Sequence, residues 1–487
     1  MKIPSILLTL GATILLQQSV LGSPFGGQSV LQARSLSDTE DFKPKLVSYE
    51  PKYKGHALVR FLPEAHGILK STLANAPIDV WASRPLGEKI ARLTPEQVEA
   101  LRQVQGQGWE VVHEDLQDMI DKEAEAINRG ILANHPYRRA LEGDLERGRF
   151  DYQEWFKHYH RYEQIQKFAQ QLVLDFPHVV QYIPSIGPQR TWEGRQIFAL
   201  KITSRHTHQR PSEASRWVRH RHRKPQIWFQ GVQHAREYIS ATTVQYLAHH
   251  YASGYGRNPT ITSLLDRVEI VVILIANPDG YIHAWDVDRY WRKNKRYLGN
   301  NTYGVDHNRN WDDHWGGEGA SHVPTAENYA GPSPASEPEI QALQGFFKRQ
   351  GNVIAALDFH CYAELILRPL GWTANQSAAH EAELAFAAEG MRQAILPVHQ
   401  QNFTSGRMAD FYSPTSGSAT DWFYGNSTDS RRDKVLPYSF TFELRPTLAF
   451  EDGFRLPEEQ IVPAGEEIAA AMDWFIDHAV ENPLLRK

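Results

Sequence analysis

Cysteine is almost missing: Cys361 is the only one in 487 residues. That excludes a disulfide framework and any zinc or iron–sulfur site built on several thiolates. No charge of one sign dominates either. With 52 Lys+Arg against 57 Asp+Glu the net charge is −5, which argues against a nucleic-acid binder driven by bulk charge. Long apolar runs are scarce: residues 6–16 fall short of the roughly 20 needed to span a bilayer, and no later segment does better. The chain has no internal repeat, no G-x-S-x-G elbow of a serine hydrolase and no H-E-x-x-H of a zincin endopeptidase. What remains is a globular composition, 41% hydrophobic and 22% charged, with enough apolar residues for a large core. At about 150 residues per domain, the length predicts two to four domains.

The N-terminus reads as an address. Lys2, the apolar run 6–16, and then Ser19, Val20 and Gly22 have the order of a secretory signal peptide, predicted over residues 1–22. A membrane anchor is the less favoured reading. Sequons at Asn300, Asn375, Asn402 and Asn426 fit a secreted, extracellular glycoprotein.

Residues 23–130 are predicted to form a small α+β unit. It has strands at 56–62 and 109–113, a helix opened by Thr94, Pro95 and Gln97, and a second helix at 115–128. A connector over 131–149 carries Arg138, Arg139, Arg147 and Arg149, which suits cleavage by a trypsin-like protease; a solvated helix face is the alternative. From residue 150 to 487 short β-rich runs (197–203, 226–232, 268–275, 353–359 and 439–444) alternate with helical patterns (240–251, 336–349 and 463–478). The alternation implies an α/β domain with a mixed, mostly parallel twisted sheet sandwiched by helices. Ligands of such sheets sit beyond the carboxyl ends of the strands, where His234, Asn277, His360 and Glu443 fall. The basic stretch within 204–224 reads as a solvated surface loop.

His234 and Glu237 stand three residues apart, so both can face one way on a helical turn and ligate zinc. The spacing alone is not specific: it recurs at His160/Glu163, His380/Glu383 and His478/Glu481, which read as surface pairs. Only the first pair follows a β-rich run and opens a helix. His360, ending the run 354–359, is a candidate third ligand.

At this point a resemblance emerges. Residues 231–240 (Gly-Val-Gln-His-Ala-Arg-Glu-Tyr-Ile-Ser), Asn277-Pro278-Asp279-Gly280-Tyr281 and the 289–293 run Arg-Tyr-Trp-Arg-Lys come in the order of the zinc metallocarboxypeptidases of the pancreatic A/B type. So do residues 304–311, Ser336-Glu337-Pro338-Glu339, 358–362 and 439–445. The 45–125 region likewise resembles that family's inhibitory pro-segment, with a small antiparallel α+β fold. The resemblance implies a secreted zymogen, opened by an activating protease, that removes C-terminal residues from peptides as a monomer, without nucleic acid or membrane. It implies one Zn²⁺ per chain on His234, Glu237 and His360. Glu443 would be the general base for a zinc-activated water, and Arg292 the stabiliser of the oxyanion. Asn308 and Arg309 would grip the substrate's terminal carboxylate, which a planar guanidinium can do bidentately. Arg236, Arg289, Tyr362 and Tyr412 correspond to further substrate contacts, Tyr412 to the tyrosine that closes over substrate.

Some positions depart from the family pattern. Cys361 stands where serine is common, Pro446 where aspartate is common, and the stretch 412–421 is one residue longer. Thr420 and Thr441 put no charge at the base of the pocket, so hydrophobic or aromatic C-terminal residues are expected. An inactive, secreted binding or cell-wall protein on the same fold is the alternative, disfavoured because ligands, base and clamp all survive.

Overall fold

The computed structural model describes residues 45–485, apart from 66, 68–77, 84–86, 105–107, 134–149, 206–223, 413, 427–434 and 448–452. The expected signal segment, the basic part of the connector and most of the basic insertion therefore lie outside the described residues. Among the described residues, no helix is long and apolar enough to cross a membrane.

Strands β1 (Ala57–Phe61), β2 (Asp79–Ser83), β3 (Lys89–Leu93) and β4 (Trp109–His113) form an antiparallel sheet in the order β2-β3-β1-β4. Helix α1 (Pro95–Arg102) starts where its sequence demands. Thr94 Oγ1 accepts from the Gln97 amide at 3.3 Å, and Gln97 Oε1 accepts from the Thr94 amide at 2.9 Å. Such a cap is worth about 1 kcal/mol. Helix α2 (Leu116–Ala133) buries Leu116, Met119, Ile120, Ala124 and Ile127 on one stripe. β1 and β4 lie where the sequence predicts them, whereas the β2–β3 pair was not foreseen.

The larger sheet has eight strands: β5 (Val180–Ile183), β6 (Ala199–Ile202), β7 (Gln226–Gly231), β8 (Glu269–Ile273), β11 (Val353–Cys361), β12 (Leu365–Arg368), β13 (Thr404–Arg407) and β15 (Tyr438–Leu444). Their order is β13-β12-β15-β11-β7-β8-β6-β5, and the central β15, β11, β7 and β8 run parallel. Two small pairs stand apart, β9 (Tyr297–Gly299) with β10 (Thr302–Tyr303), and β14 (Val435–Leu436) with β16 (Leu484–Leu485). The helices that follow α2 are α3 (Tyr152–Trp155), α4 (Tyr162–Asp175), α5 (Tyr238–Gly254), α6 (Pro259–Arg267), α7 (Pro278–Asp286), α8 (Pro338–Arg349), α9 (Glu381–His399), α10 (Met408–Phe411), α11 (Ala419–Gly425) and α12 (Ile461–Glu481).

The period of two along each central strand sorts side chains between two faces. Ile227, Phe229, Leu357, Phe359, Phe440 and Phe442 join the core beneath α5, α9 and α12. Trp228 and Ala356 join the second core with Phe347 of α8 and Trp422 and Phe423 of α11. Further along β7, β11 and β15, that second face turns polar: Gln230, Asp358, His360, Thr441 and Glu443. The fold thus gathers its chemistry at the carboxyl edge of four parallel strands, as the alternation implies.

The other H-x-x-E pairs are corrected by the structure, because spacing says nothing about burial. His160 is a core residue stacked on Trp155, with ring centroids 3.4 Å apart and its Nε2 2.7 Å from Trp155 O. His380 is buried between the Tyr424 hydroxyl at 3.0 Å and Leu485 O at 2.7 Å. Only His478 remains partly exposed, stacked on Trp474.

Candidate metal centre and active site

β7 ends at Gly231, and Val232 follows with φ 59°. A β-branched residue there costs of order 1–3 kcal/mol and persists only where its surroundings over-determine it. Here they do: the Val232 amide donates to Ser240 Oγ at 3.1 Å, and Val232 O accepts from the Asn277 amide at 2.9 Å. The turn aims His234 inward and makes Glu237 the residue that opens α5.

His360 joins them from β11. The three residues offer ligand atoms within 4.8 Å of one another, and all three are buried. His234 Nδ1 lies 2.8 Å from Glu237 Oε1, and His360 Nδ1 lies 3.0 Å from Glu237 Oε2 and 3.0 Å from His234 Nδ1. Each outer nitrogen meets a carboxylate: His234 Nε2 with Asp306 Oδ1 at 3.1 Å, and His360 Nε2 with Asp358 Oδ2 at 2.7 Å. Those carboxylates hold the protons at Nε2, so both Nδ1 lone pairs and a carboxylate converge on one point. Such a set calls for a cation at its centre, and two imidazoles with one carboxylate are ordinary zinc ligands. Burial, then Arg292, lowers His234, while Asp358 and Glu237 outweigh burial and hold His360 well above an ordinary imidazole. The carboxylates thus favour a positive charge at the centre, and a metal ion there would displace the His360 proton to reach Nδ1.

Asp306 does more than back His234. It accepts from Arg292 Nη2 at 2.9 Å and from the Asn308 amide at 2.9 Å, fixing the arginine beside the candidate metal ligands. Glu443 stands opposite His360 in the parallel register of β11 and β15, which places both side chains on one face. Burial pushes its carboxyl up to about 8, against the pull of His360, Arg292 and a hydrogen bond from the Tyr412 hydroxyl. The structure therefore brings Tyr412 to Glu443. Cys361, whose thiol is pushed up by burial, contributes its backbone amide to Glu237 Oε2 at 3.3 Å.

Asn308 and Arg309 lie in a short 3₁₀ turn, His307–Arg309. Arg309 is braced by its Nε to Gly319 O at 3.0 Å and its Nη1 to Asn308 O at 2.8 Å. Gly417 packs so closely that a Cβ there would lie 2.2 Å from Arg309 O. Asn308 Oδ1 accepts from the Ala419 amide at 2.8 Å, which ties the turn to the start of α11. That helix also presents Thr420, hydrogen-bonded through its hydroxyl to Thr441, and neither carries a charge. Asp421 points away, accepting the Gly371 and Trp372 amides; burial, then Asp313, raises it to about 6.

Two expected substrate contacts are already occupied by the N-terminal sheet unit. Arg236 donates to Asp79 of β2 at 3.3 Å, and its guanidinium lies 4.3 Å from the Phe454 ring centroid. Arg289 donates to Glu123 of α2 at 2.7 and 3.1 Å. Trp81 packs on Tyr290 and Phe454 with centroids 4.7 and 5.0 Å away, and Tyr362 meets Phe454 edge-on at 5.2 Å. Of the sequons, Asn300, Asn375 and Asn402 are exposed, whereas Asn426 donates its Nδ2 to Trp422 O at 2.7 Å.

Sequence reasoning missed Asp306 and Asp358 as partners of the histidines. For Asp358 a signal existed, since it lies two residues before His360 and shares its face of the strand.

A family model described as zinc carboxypeptidase, peptidase M14, matches residues 165–471. Carboxypeptidase A1 of Rattus norvegicus is 32% identical over 417 residues, 84% of this chain and 89% of that protein. A solved carboxypeptidase A from Helicoverpa armigera shares the fold with a TM-score of 0.71 at 24% identity, covering 89% of this chain and 99% of that one. Thrombin-activatable fibrinolysis inhibitor matches with a TM-score of 0.69 at 26% identity, over 88% and 100% of the two chains. With its buried His–Glu–His cluster at the carboxyl edge of a mixed sheet, the chain belongs to the zinc carboxypeptidase family and is a metallocarboxypeptidase, a hydrolase.

Proposed function

We propose that this protein is a secreted zymogen which, once cleaved in the 131–149 connector by a trypsin-like protease, removes single hydrophobic or aromatic residues from peptide C-termini as a monomer. The observation that carries the reading is the convergence of His234, Glu237 and His360 with Glu443 in register on the neighbouring strand. One zinc ion held by the three ligands would polarise the scissile carbonyl and activate water for attack. Arg309 and Asn308 bind the substrate's terminal carboxylate and so fix which peptide bond reaches the centre. Glu443 accepts the proton of the attacking water at its carboxylate and returns it to the leaving amine. Arg292, held by Asp306, faces the negative charge that develops on the carbonyl oxygen. Thr420 and Thr441 at the pocket base leave an arginine or lysine side chain without a counter-charge.

The test is hydrolysis of N-blocked dipeptides after tryptic treatment. Those ending in Phe or Leu are expected to be cut at least about tenfold faster than those ending in Lys or Arg, the least that burying a charge without a partner should cost. A chelator should abolish the activity and zinc should restore it. Faster release of Lys or Arg would overturn the specificity, and activity indifferent to chelation would overturn the metal mechanism.

The N-terminal unit supports the zymogen reading through Asp79. Burial would raise this carboxyl, but Arg236 and Arg92 outweigh it and hold it well below the usual range. A depressed carboxylate contributes its full stabilisation above the unfolded value of about 3.9 and loses it only as pH falls through the folded value. Mild acid at about pH 5 should therefore leave this contact intact. Asp79→Asn should break it at every pH, costing about 2–5 kcal/mol of docking. The uncut variant should show residual dipeptidase activity well above the uncut parent; equal latency would remove Asp79 from the inhibitory contact.

A further inference from the structure

The two imidazoles of the metal centre are backed differently. Asp306, behind His234, is neutralised by Arg292 as well. Asp358, behind His360, is fully buried, and the only ionisable side chain hydrogen-bonded to it among the described residues is His360 itself. Its other bonds come from neutral amides: Gln230 Nε2 to Oδ1 at 3.1 Å, and Gln233 Nε2 to Oδ2. Gln233 is oriented in turn, its Oε1 accepting from Trp311 Nε1 at 2.8 Å. Trp311 follows the Asn308–Arg309 turn by two residues, so a continuous polar chain, Trp311–Gln233–Asp358–His360, joins the expected carboxylate grip to the metal centre. A buried carboxylate held by two amides has a fixed direction, and its i, i+2 relation to His360 on β11 puts both on one face of the strand.

We propose that Asp358 is a positioning residue for the metal: it fixes the Nε2–H tautomer and ring orientation of His360, and its negative charge strengthens Nδ1 as a donor. Gln233 and Gln230 hold Asp358 in place for that task. The inference rests on the reading of His360 as a ligand, and it concerns metal retention rather than the chemical step. Outer carboxylates of this kind change metal affinity by about 10–100-fold.

The experiment measures Zn²⁺ affinity of the full chain by competition with a chromophoric chelator, for the parent, Asp358→Asn and Gln233→Leu, with the Tm of each after metal removal. Asp358→Asn is expected to weaken zinc binding about 10–100-fold, with faster zinc release, while the Tm without metal stays equal or rises because a buried charge is gone. Gln233→Leu, which leaves the carboxylate but frees one of its anchors, should weaken binding several-fold; it decides the matter if Asp358→Asn fails to fold. Unchanged zinc affinity in the folded variants, or a loss of Tm with affinity intact, would mean that Asp358 is merely structural. A parent chain that binds no zinc would instead overturn the metal site itself.

Discussion

Glu443→Gln is expected to lower kcat toward a blocked dipeptide by about 10²–10⁴-fold, the range of a lost general base, equivalent to roughly 3–5 kcal/mol of barrier. The substitution keeps the shape of the side chain and leaves His234, Glu237 and His360 untouched, so zinc content should not change. Retained activity would exclude Glu443 as the base. The acid limb of the pH profile offers a second reading of the same group. Burial pushes the Glu443 carboxyl up to about 8, and a divalent cation beside it would pull that value down, so the limb should lie below 8. A carboxylate acting as general base must be ionised to work, and the Tyr412 hydroxyl stabilises the ionised form of Glu443. Tyr412→Phe should therefore shift the acid limb upward in pH; a downward shift would contradict the hydrogen bond.

Arg309→Met is the second large effect. Removing one partner of a buried, hydrogen-bonded charge pair costs about 2–5 kcal/mol, so kcat/KM for a free-acid dipeptide should fall by about 30-fold to several thousand-fold. Met keeps the aliphatic volume but has no donor, so preference for a free carboxylate over the corresponding amide should collapse. Arg309 earns this weight from its setting, braced by Gly319 O and Asn308 O beneath the close approach of Gly417. A variant that still discriminates acid from amide would place the grip elsewhere.

Local pattern made much of this legible. The strands at 226–232 and 353–359, and the Thr94 capping box, depend on residues close in sequence, and each appears where expected. His234, Glu237 and His360 were legible because ordered motifs anchor them, not because of the H-x-x-E spacing, which also marks the buried His160 and His380. Pairings set by the tertiary fold were hidden. Nothing in the order of residues says that Asp79 reaches Arg236 or that Asp306 faces His234, because those partners are 157 and 72 residues apart. The β2–β3 pair escaped notice for a related reason: its residues carry little β-rich patterning, and Val80 stays partly exposed at the sheet edge.

The most direct measurement is mass spectrometry of one peptide in two forms, with a free and with an amidated C-terminus, incubated with the trypsin-treated, zinc-loaded protein. The free form, ending in Phe or Leu, should lose residues one at a time from its C-terminus while the amidated form stays intact, and Glu443→Gln should leave both uncut. Internal cleavage, equal trimming of the amide, or no zinc-dependent trimming of the free acid would contradict the account.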